Sequence, residues 1–171
     1  YHDLKSASGF NGVVVDQDLI PRHSTSSVIV FEGVKVGENP LHTIMWTVLG
    51  YPCSTVSVPL MVGDSDMVPS FMKASGSSSN AWMCDLARKV KDGSVFRFKL
   101  SNGQSYLDID NVLELLHKCL VTESRLETGW QDIYGKWVRG EYGFDRFKEG
   151  YTAFCNDYFE EYLKQFASFI Q

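Results

Sequence analysis

Residues 94–110, SVFRFKLSNGQSYLDID, decide the fold class of this chain. Apolar residues alternate with polar and charged ones over 94–100, and a second alternating run covers 105–110. Asn102 and Gly103 lie between the runs. An Asn-Gly pair favours the left-handed conformations that tight hairpin turns require. The stretch therefore predicts two antiparallel strands joined as a hairpin.

Three further strands are predicted upstream of the hairpin. Short valine-rich runs at 12–16 and 27–33 are bounded by polar or glycine-containing segments, which is typical of strands. Residues 54–62 carry apolar side chains with a period of two, the pattern of a strand with one buried face. Pro59 lies inside this run. Because proline cannot donate to a neighbouring strand, we expect this strand at a sheet edge or at a bulge.

Helices are predicted between and after these strands. Asn39 and Pro40 suit a helix start as cap and first residue, and apolar residues recur at helical spacing over 41–49. A shorter helix is expected over 80–91. The C-terminal third has the strongest helical periodicity. Its predicted segments are 111–120, 123–142 with breaks at Gly129, Gly135 and Gly140, and 144–170.

The order of these elements favours an α+β fold. Strands and helices are partly segregated along the chain, which indicates an antiparallel sheet with helices on a face. The length suits a single domain over 1–171, or the C-terminal part of a larger domain. Residues 63–80 are rich in Ser, Gly and Asp and are predicted to form a mobile loop rather than a domain linker.

The composition excludes several classes of protein. The 171 residues are 44% hydrophobic and 22% charged, as in ordinary globular proteins. The net charge is −5 and no basic run is present, so no nucleic-acid partner is expected. A membrane-spanning helix needs about twenty consecutive apolar residues, and the apolar runs here are much shorter. We therefore predict no transmembrane segment.

No motif of a self-contained enzyme is present. The sequence lacks GxSxG, Walker A, HExxH and dinucleotide-binding patterns. We also predict no metal ion and no cofactor, since no cysteines or histidines have metal-ligand spacing. Cys53, Cys84, Cys119 and Cys155 allow two disulfides or four buried thiols, and their spacing favours thiols. Cys53 has no base beside it and is expected to be a packed thiol.

The polar segment 20–27 has the highest concentration of side chains that could bind a ligand or take part in catalysis. It concentrates Arg22, His23 and four hydroxyl side chains between two apolar strands. A guanidinium in this position can pair with a carboxylate or stabilise a developing negative charge. The alternative is a surface loop whose arginine forms an exposed ion pair, and composition alone favours that alternative.

The same region resembles N-terminal-nucleophile hydrolases, in particular the linear amide C–N hydrolase family that includes acyl-CoA:6-aminopenicillanate acyltransferase. The resemblance covers residues 10–62 best and corresponds to the C-terminal half of such proteins. The motifs that carry it are 21–30 PRHSTSSVIV, 33–35 GVK, 45–52 MWTVLGYP and 57–60 SVPL.

The resemblance implies an αββα sandwich, in which two antiparallel sheets lie between helical layers. It also implies an N-terminal Cys nucleophile outside this chain, because neither Tyr1 nor an internal cysteine can take that role. The family places an arginine in the active site late in its sequence, and Arg22 is the matching position. Its cation would favour a thiolate and orient the substrate.

The remaining expectations also follow from the resemblance. Trp46, Tyr51 and Pro52 would line an acyl pocket, although core packing explains them more simply. The partners would be a small-molecule amide substrate and the N-terminal half of the same protein, and a homo-oligomer is a further expectation. Bacterial relatives of this kind are often exported, to the periplasm or beyond the cell. The alternative is a non-catalytic α+β module that binds a ligand or a protein.

Overall fold

The computed structural model describes residues 13–15, 23–62, 65–74, 80–99 and 105–170. These residues form six strands, three α-helices and several short turns. The strands are β1 (Val13–Val15), β2 (Ser27–Glu32), β3 (Ile44–Leu49), β4 (Val58–Met61), β5 (Phe96–Lys99) and β6 (Ser105–Asp108). The helices are α1 (Trp82–Val90), α2 (Ile109–Val138) and α3 (Phe144–Ile170).

The strands form two antiparallel sheets, ordered β1-β6-β5 and β2-β3-β4. The predicted hairpin is confirmed in its two strands, which pair with Phe96 opposite Leu107. Its Asn-Gly turn lies outside the described residues. The α+β class, with antiparallel sheets and helices packed on them, is confirmed as well. The stacking of the sheets as an αββα sandwich stays a prediction.

Strand β3 is the centre of the second sheet. Its Trp46 lies opposite Val30 of β2 on one side and opposite Pro59 of β4 on the other. Strand β4 is therefore an edge strand, as the proline within it predicted. A proline is tolerated there because an edge strand has one side that needs no donor.

The helix predicted over 41–49 is wrong. Asn39 does cap a turn, since its side chain accepts a hydrogen bond from the Leu41 amide, but this turn is a 3₁₀ turn that ends at His42. Strand β3 follows directly. Residues 44–49 include three β-branched side chains and one tryptophan, which favour a strand when two neighbours can pair with it. Buried positions recur every third residue, Ile44 and Thr47, which explains the misleading helical spacing.

The breaks predicted at Gly129 and Gly135 in the second C-terminal helix are also wrong, because α2 runs without interruption from Ile109 to Val138. A glycine inside a helix costs about 1 kcal/mol relative to alanine. Packing against α3 outweighs that cost, and a side chain at Gly129 would meet the Phe154 ring only at ordinary van der Waals distance, 3.7 Å. The predicted stop at Gly140 is confirmed. Its φ is +73°, and Glu141 N donates to Lys136 O in a Schellman-type end.

Helix α3 covers the edge strand β4 with a row of tyrosines. Tyr151 donates to the Pro59 carbonyl at 2.8 Å, and Tyr158 donates to the Ser57 carbonyl at 2.5 Å. A third tyrosine on the same face, Tyr162, donates to the carbonyl of the buried 3₁₀ turn Pro52–Ser54 at 3.1 Å. These hydroxyls satisfy carbonyl groups that burial would otherwise leave without a donor.

The loop predicted over 63–80 contributes to the core. Residues 65–74 form two 3₁₀ turns that bury Met67, Phe71 and Met72, and Phe71 stacks on Phe159 of α3 at 4.3 Å. Residues 63–64 and 75–79 lie outside the described residues. Within the described ranges, no helix is long and apolar enough to cross a bilayer.

Candidate functional site

A cleft of about 540 Å³ opens between the β2-β3-β4 sheet and helices α2 and α3. We call it the acidic aromatic cleft because five aromatic side chains and three carboxylates line it. The aromatic residues are Trp46, Trp130, Tyr134, Phe154 and Tyr158, and the carboxylates are Glu32, Glu123 and Glu127. A cleft of this size is typical of sites that hold small organic ligands.

Trp130 of α2 organises the aromatic wall. Its ring stacks on Tyr134 one turn later at 5.1 Å, and it meets Trp46 of β3 edge-on at 6.1 Å. Phe154 of α3 lies 5.9 Å from it on the other side. Aromatic pairs in such arrangements add about 1 kcal/mol each beyond their buried area. The wall is therefore rigid and joins all three elements.

Two of the carboxylates are held by neutral donors. Glu32, at the end of β2, accepts a hydrogen bond of 2.9 Å from the indole Nε1 of Trp46. Glu127 accepts one of 3.0 Å from the side-chain amide of Gln131, one turn later on α2. Both donors are uncharged, so neither hydrogen bond is an ion pair.

Glu123 is the most enclosed of the three carboxylates. It accepts a hydrogen bond of 2.7 Å from the backbone amide of Ser57. Burial raises the pKa of its carboxyl above the usual value, and the Ser57 amide offsets part of that rise. The cleft thus holds a carboxyl whose ionisation is sensitive to whatever occupies the space beside it.

Tyr134 closes one end of the cleft. Its hydroxyl donates to the carbonyl of His42 at 2.7 Å. Burial raises the pKa of this phenol, and the nearby carboxylates of Glu32 and Glu38 raise it further. The phenol therefore acts as a neutral donor at ordinary pH.

The charge of the cleft is unbalanced. Among the described residues, no lysine, arginine or histidine side chain forms an ion pair with any of the three carboxylates. The same part of the chain contains no group of three acidic, histidine or cysteine side chains close enough to hold a metal ion. The carboxylates are therefore spread along the cleft rather than gathered at one point.

A second, smaller cavity of about 290 Å³ lies beside the polar segment that the sequence singled out. Residues 23–26 form one wall, and Cys84, Arg88 and Lys91 of α1 and the turn after it form the other. Lys91 donates to the His23 carbonyl at 3.2 Å, which ties the two walls together. Arg22 lies outside the described residues, so its predicted role stays a prediction.

The three residues predicted for an acyl pocket are placed differently from one another. Trp46 lines the acidic aromatic cleft. Tyr51 is only 1% exposed and packs edge-on against Phe96 at 5.4 Å, as core packing predicts. Pro52 is half-buried and begins a short 3₁₀ turn. The structure therefore does not bring these three side chains together around one cleft.

All four cysteines are present as thiols. Cys53 is buried in the core, in agreement with a packed thiol. Cys119 is buried too and donates to the Thr55 carbonyl at 3.1 Å. Cys84 alone of the four is only partly buried.

Sequence reasoning missed the part of the cleft that α2 contributes. Glu123, Glu127, Trp130 and Tyr134 are separated by four, three and four residues, which places them on one face of a helix. That spacing was visible in the sequence. The predicted break at Gly129 hid it, because a helix interrupted there would turn the two halves of the face apart.

Comparisons of the chain with protein-family models, with curated proteins and with solved structures found no match.

Proposed function

We propose that this chain is the C-terminal part of a hydrolase that cleaves linear, non-peptide amide bonds, and that the attacking cysteine lies outside it. The motifs around Arg22 and Trp46 supply the reaction class through their resemblance to linear amide C–N hydrolases. The exposure of strand β2 supports the view that this surface is covered by another part of the protein.

Strand β2 is the observation that carries this proposal. Its side chains from Val28 to Phe31 are apolar and lie alternately on both faces of the sheet, yet they are 40% to 66% exposed. The strand is also an edge of its sheet. An apolar edge strand exposed on both faces promotes aggregation, so proteins normally cover such a strand. In this proposal, the N-terminal half of the same protein covers it.

The smaller cavity fits the same proposal. Residues 23–26 follow Arg22 directly and border a space that two cationic side chains, Arg88 and Lys91, also reach. A cationic surface beside a nucleophile favours the thiolate and steadies the negative charge that develops during amide cleavage. Attack of the cysteine sulfur on the amide carbonyl would form an acyl-enzyme and release the amine, which takes up the thiol proton. Attack of water on the acyl-enzyme would then release the carboxylic acid and restore the thiol.

The activity test uses the protein expressed from the complete coding sequence that contains this chain. A panel of N-acyl amines is supplied, and the released primary amine is measured with fluorescamine. We expect amine release that iodoacetamide abolishes, and a loss of about a hundredfold in kcat for Arg22→Gln. Arg125→Gln, an exposed arginine paired with Glu161, serves as the control and should leave kcat unchanged. No release from any substrate in the panel contradicts the proposal.

A second experiment tests the role of strand β2. The 171-residue chain alone should associate and bind the dye ANS, and Val30→Lys should reduce both effects. Val36→Lys is the matched control, since Val36 is equally apolar and fully exposed but lies outside the sheet. A chain that is monomeric and binds no dye contradicts the view that this surface is normally covered.

The second candidate function is a non-catalytic ligand-binding module, and the acidic aromatic cleft favours it. Its walls come from the sheet and from two helices that lie within the described residues. A stable, monomeric chain that binds a ligand in this cleft and releases no amine would support this candidate over the first.

A further inference from the structure

We propose that the acidic aromatic cleft binds an organic cation, in the form of a protonated amine carried on an apolar body. This inference goes beyond the proposed hydrolase and does not depend on it. It rests on the composition of the walls, on the charge balance of the cleft and on the spread of its carboxylates.

The aromatic wall is suited to a cation as well as to an apolar body. Trp46 and Tyr134 are half-buried, so part of each ring is open to the cleft, and the buried Trp130 packs against both. The faces of tryptophan and tyrosine rings attract an ammonium group through the negative charge of their π-systems. The same faces provide apolar area for the rest of the ligand.

The negative charge of the cleft favours a positively charged ligand. Glu32, Glu123 and Glu127 face one space without a cationic side chain among the described residues to neutralise them. A carboxylate that is partly removed from water is stabilised by a cation close to it. An anionic ligand would be repelled, and a neutral ligand would leave the imbalance unchanged.

The spread of the carboxylates selects an organic cation over a metal ion. A metal ion needs several oxygen ligands at one point, and the described residues offer no such group here. An ammonium group needs only one or two carboxylates and fills the remaining volume with its carbon body. The cleft volume of about 540 Å³ accommodates such a ligand.

Glu123 is the expected primary contact. Its carboxylate is fixed by the Ser57 amide, so one oxygen is engaged and the group is held in place before the ligand arrives. A charged hydrogen bond between such a carboxylate and an ammonium group typically changes affinity by about tenfold or more. Glu127, one turn later and more exposed, is the expected second contact.

The test titrates the protein calorimetrically with three probes that share one body and differ in charge. The probes are 2-phenylethylamine, 2-phenylethanol and 3-phenylpropionate. We expect the amine to bind about tenfold or more tightly than the alcohol, and the carboxylate not to bind. Added salt should weaken binding of the amine only. Equal binding of amine and alcohol, preference for the carboxylate, or no binding of the amine overturns the proposal.

Variants assign the binding to this cleft. Glu123→Gln keeps the shape and an acceptor for Ser57 but removes the charge, and it should lower amine affinity about tenfold while leaving alcohol affinity unchanged. Glu127→Gln should also lower amine affinity. It serves as the test if Glu123→Gln does not fold. Glu114→Gln is the matched control. It lies nine residues before Glu123, which is two and a half turns of α2, so it faces the opposite side. Loss of amine binding in the control equal to that in Glu123→Gln also overturns the proposal.

Discussion

Glu123 of α2 accepts a hydrogen bond of 2.7 Å from the backbone amide of Ser57, in the bend that precedes β4. This contact joins the longest helix to the edge of a sheet that lies 66 positions earlier in the chain. It also places a carboxylate where water has limited access. Both consequences can be tested.

Glu123→Gln should stabilise the protein at neutral pH. Burial raises the pKa of this carboxyl above 4.5 in the folded state, so the unfolded chain releases the proton first. Stability from this group is present below the unfolded pKa and is lost as pH rises through the folded pKa. Urea unfolding should show a larger gain for the variant at about pH 7 than at about pH 4. A gain that is equal at both pH values contradicts the assignment, and Glu114→Gln is the control.

Tyr158→Phe should destabilise the protein by about 1–3 kcal/mol. The variant keeps the ring but leaves the partly buried Ser57 carbonyl without its donor. Tyr142→Phe is the control, because the Tyr142 ring lies 4.2 Å from the Arg146 guanidinium and phenylalanine preserves that contact. Chemical denaturation measures both variants. A similar loss in the two would show that the hydroxyl of Tyr158 is not the cause.

Alkaline pH should unfold the protein cooperatively. Burial raises the pKa of Tyr151, Tyr158 and Tyr162 above 10, so these hydroxyls keep their protons in the folded state. In the unfolded chain they titrate near 10, and stability therefore falls as pH rises beyond that value. The tyrosinate absorbance should rise together with the loss of helix measured by circular dichroism. Separate transitions for the two signals would contradict this coupling.

Gly50→Ala should cost about 2–4 kcal/mol of stability. Gly50 has a φ of +94°, and a methyl group there would overlap the Cβ of Ala87 on α1. Gly37→Ala separates the two causes, because Gly37 has a φ of +91° and open space around it. That variant should lose only about 1–2 kcal/mol, from backbone strain alone. Equal losses would remove the close approach of α1 as an explanation.

Cys84 should be the thiol that reacts fastest with Ellman's reagent in the folded protein. It is partly buried, whereas the other three are buried. Burial also raises the pKa of Cys119, and that of Cys155 to about 12, so their reactive thiolates are scarce. Cys84→Ser should remove the fast phase, and Cys119→Ser should keep it. Rapid reaction of all four thiols would contradict the packing described for this core.

The elements that were predicted correctly are those whose pattern lies in consecutive residues of the chain. The hairpin follows from alternation around Asn-Gly, and α3 follows from a long apolar stripe. Strand β3 could not be recognised in the same way, because its strand conformation depends on pairing with β2 and β4 on either side. The uninterrupted course of α2 likewise depends on packing along its length against another helix, α3.

The candidate cleft was only partly predictable for the same reason. Trp46 was identified as a pocket residue, although for an acyl chain. Glu32, which lies at the end of an apparently ordinary strand, reaches the cleft only because β2 pairs with β3 in one register. The α2 residues needed the helix to be continuous. The spacing within α2 marks one face of a helix, but no single segment shows that this face meets β2 and β3.

The tyrosine row on α3 has a consequence for how the second sheet can associate. Because Tyr151 already donates to the Pro59 carbonyl and Pro59 has no amide hydrogen, the outer side of β4 is a poor partner for a further strand. Among the described residues, no strand pairs with the opposite border, at β2. A further strand can therefore pair with this sheet only along β2. Two copies paired along their β2 strands would leave no edge for a third copy. For the isolated chain, we therefore expect association through this sheet to stop at pairs joined along β2.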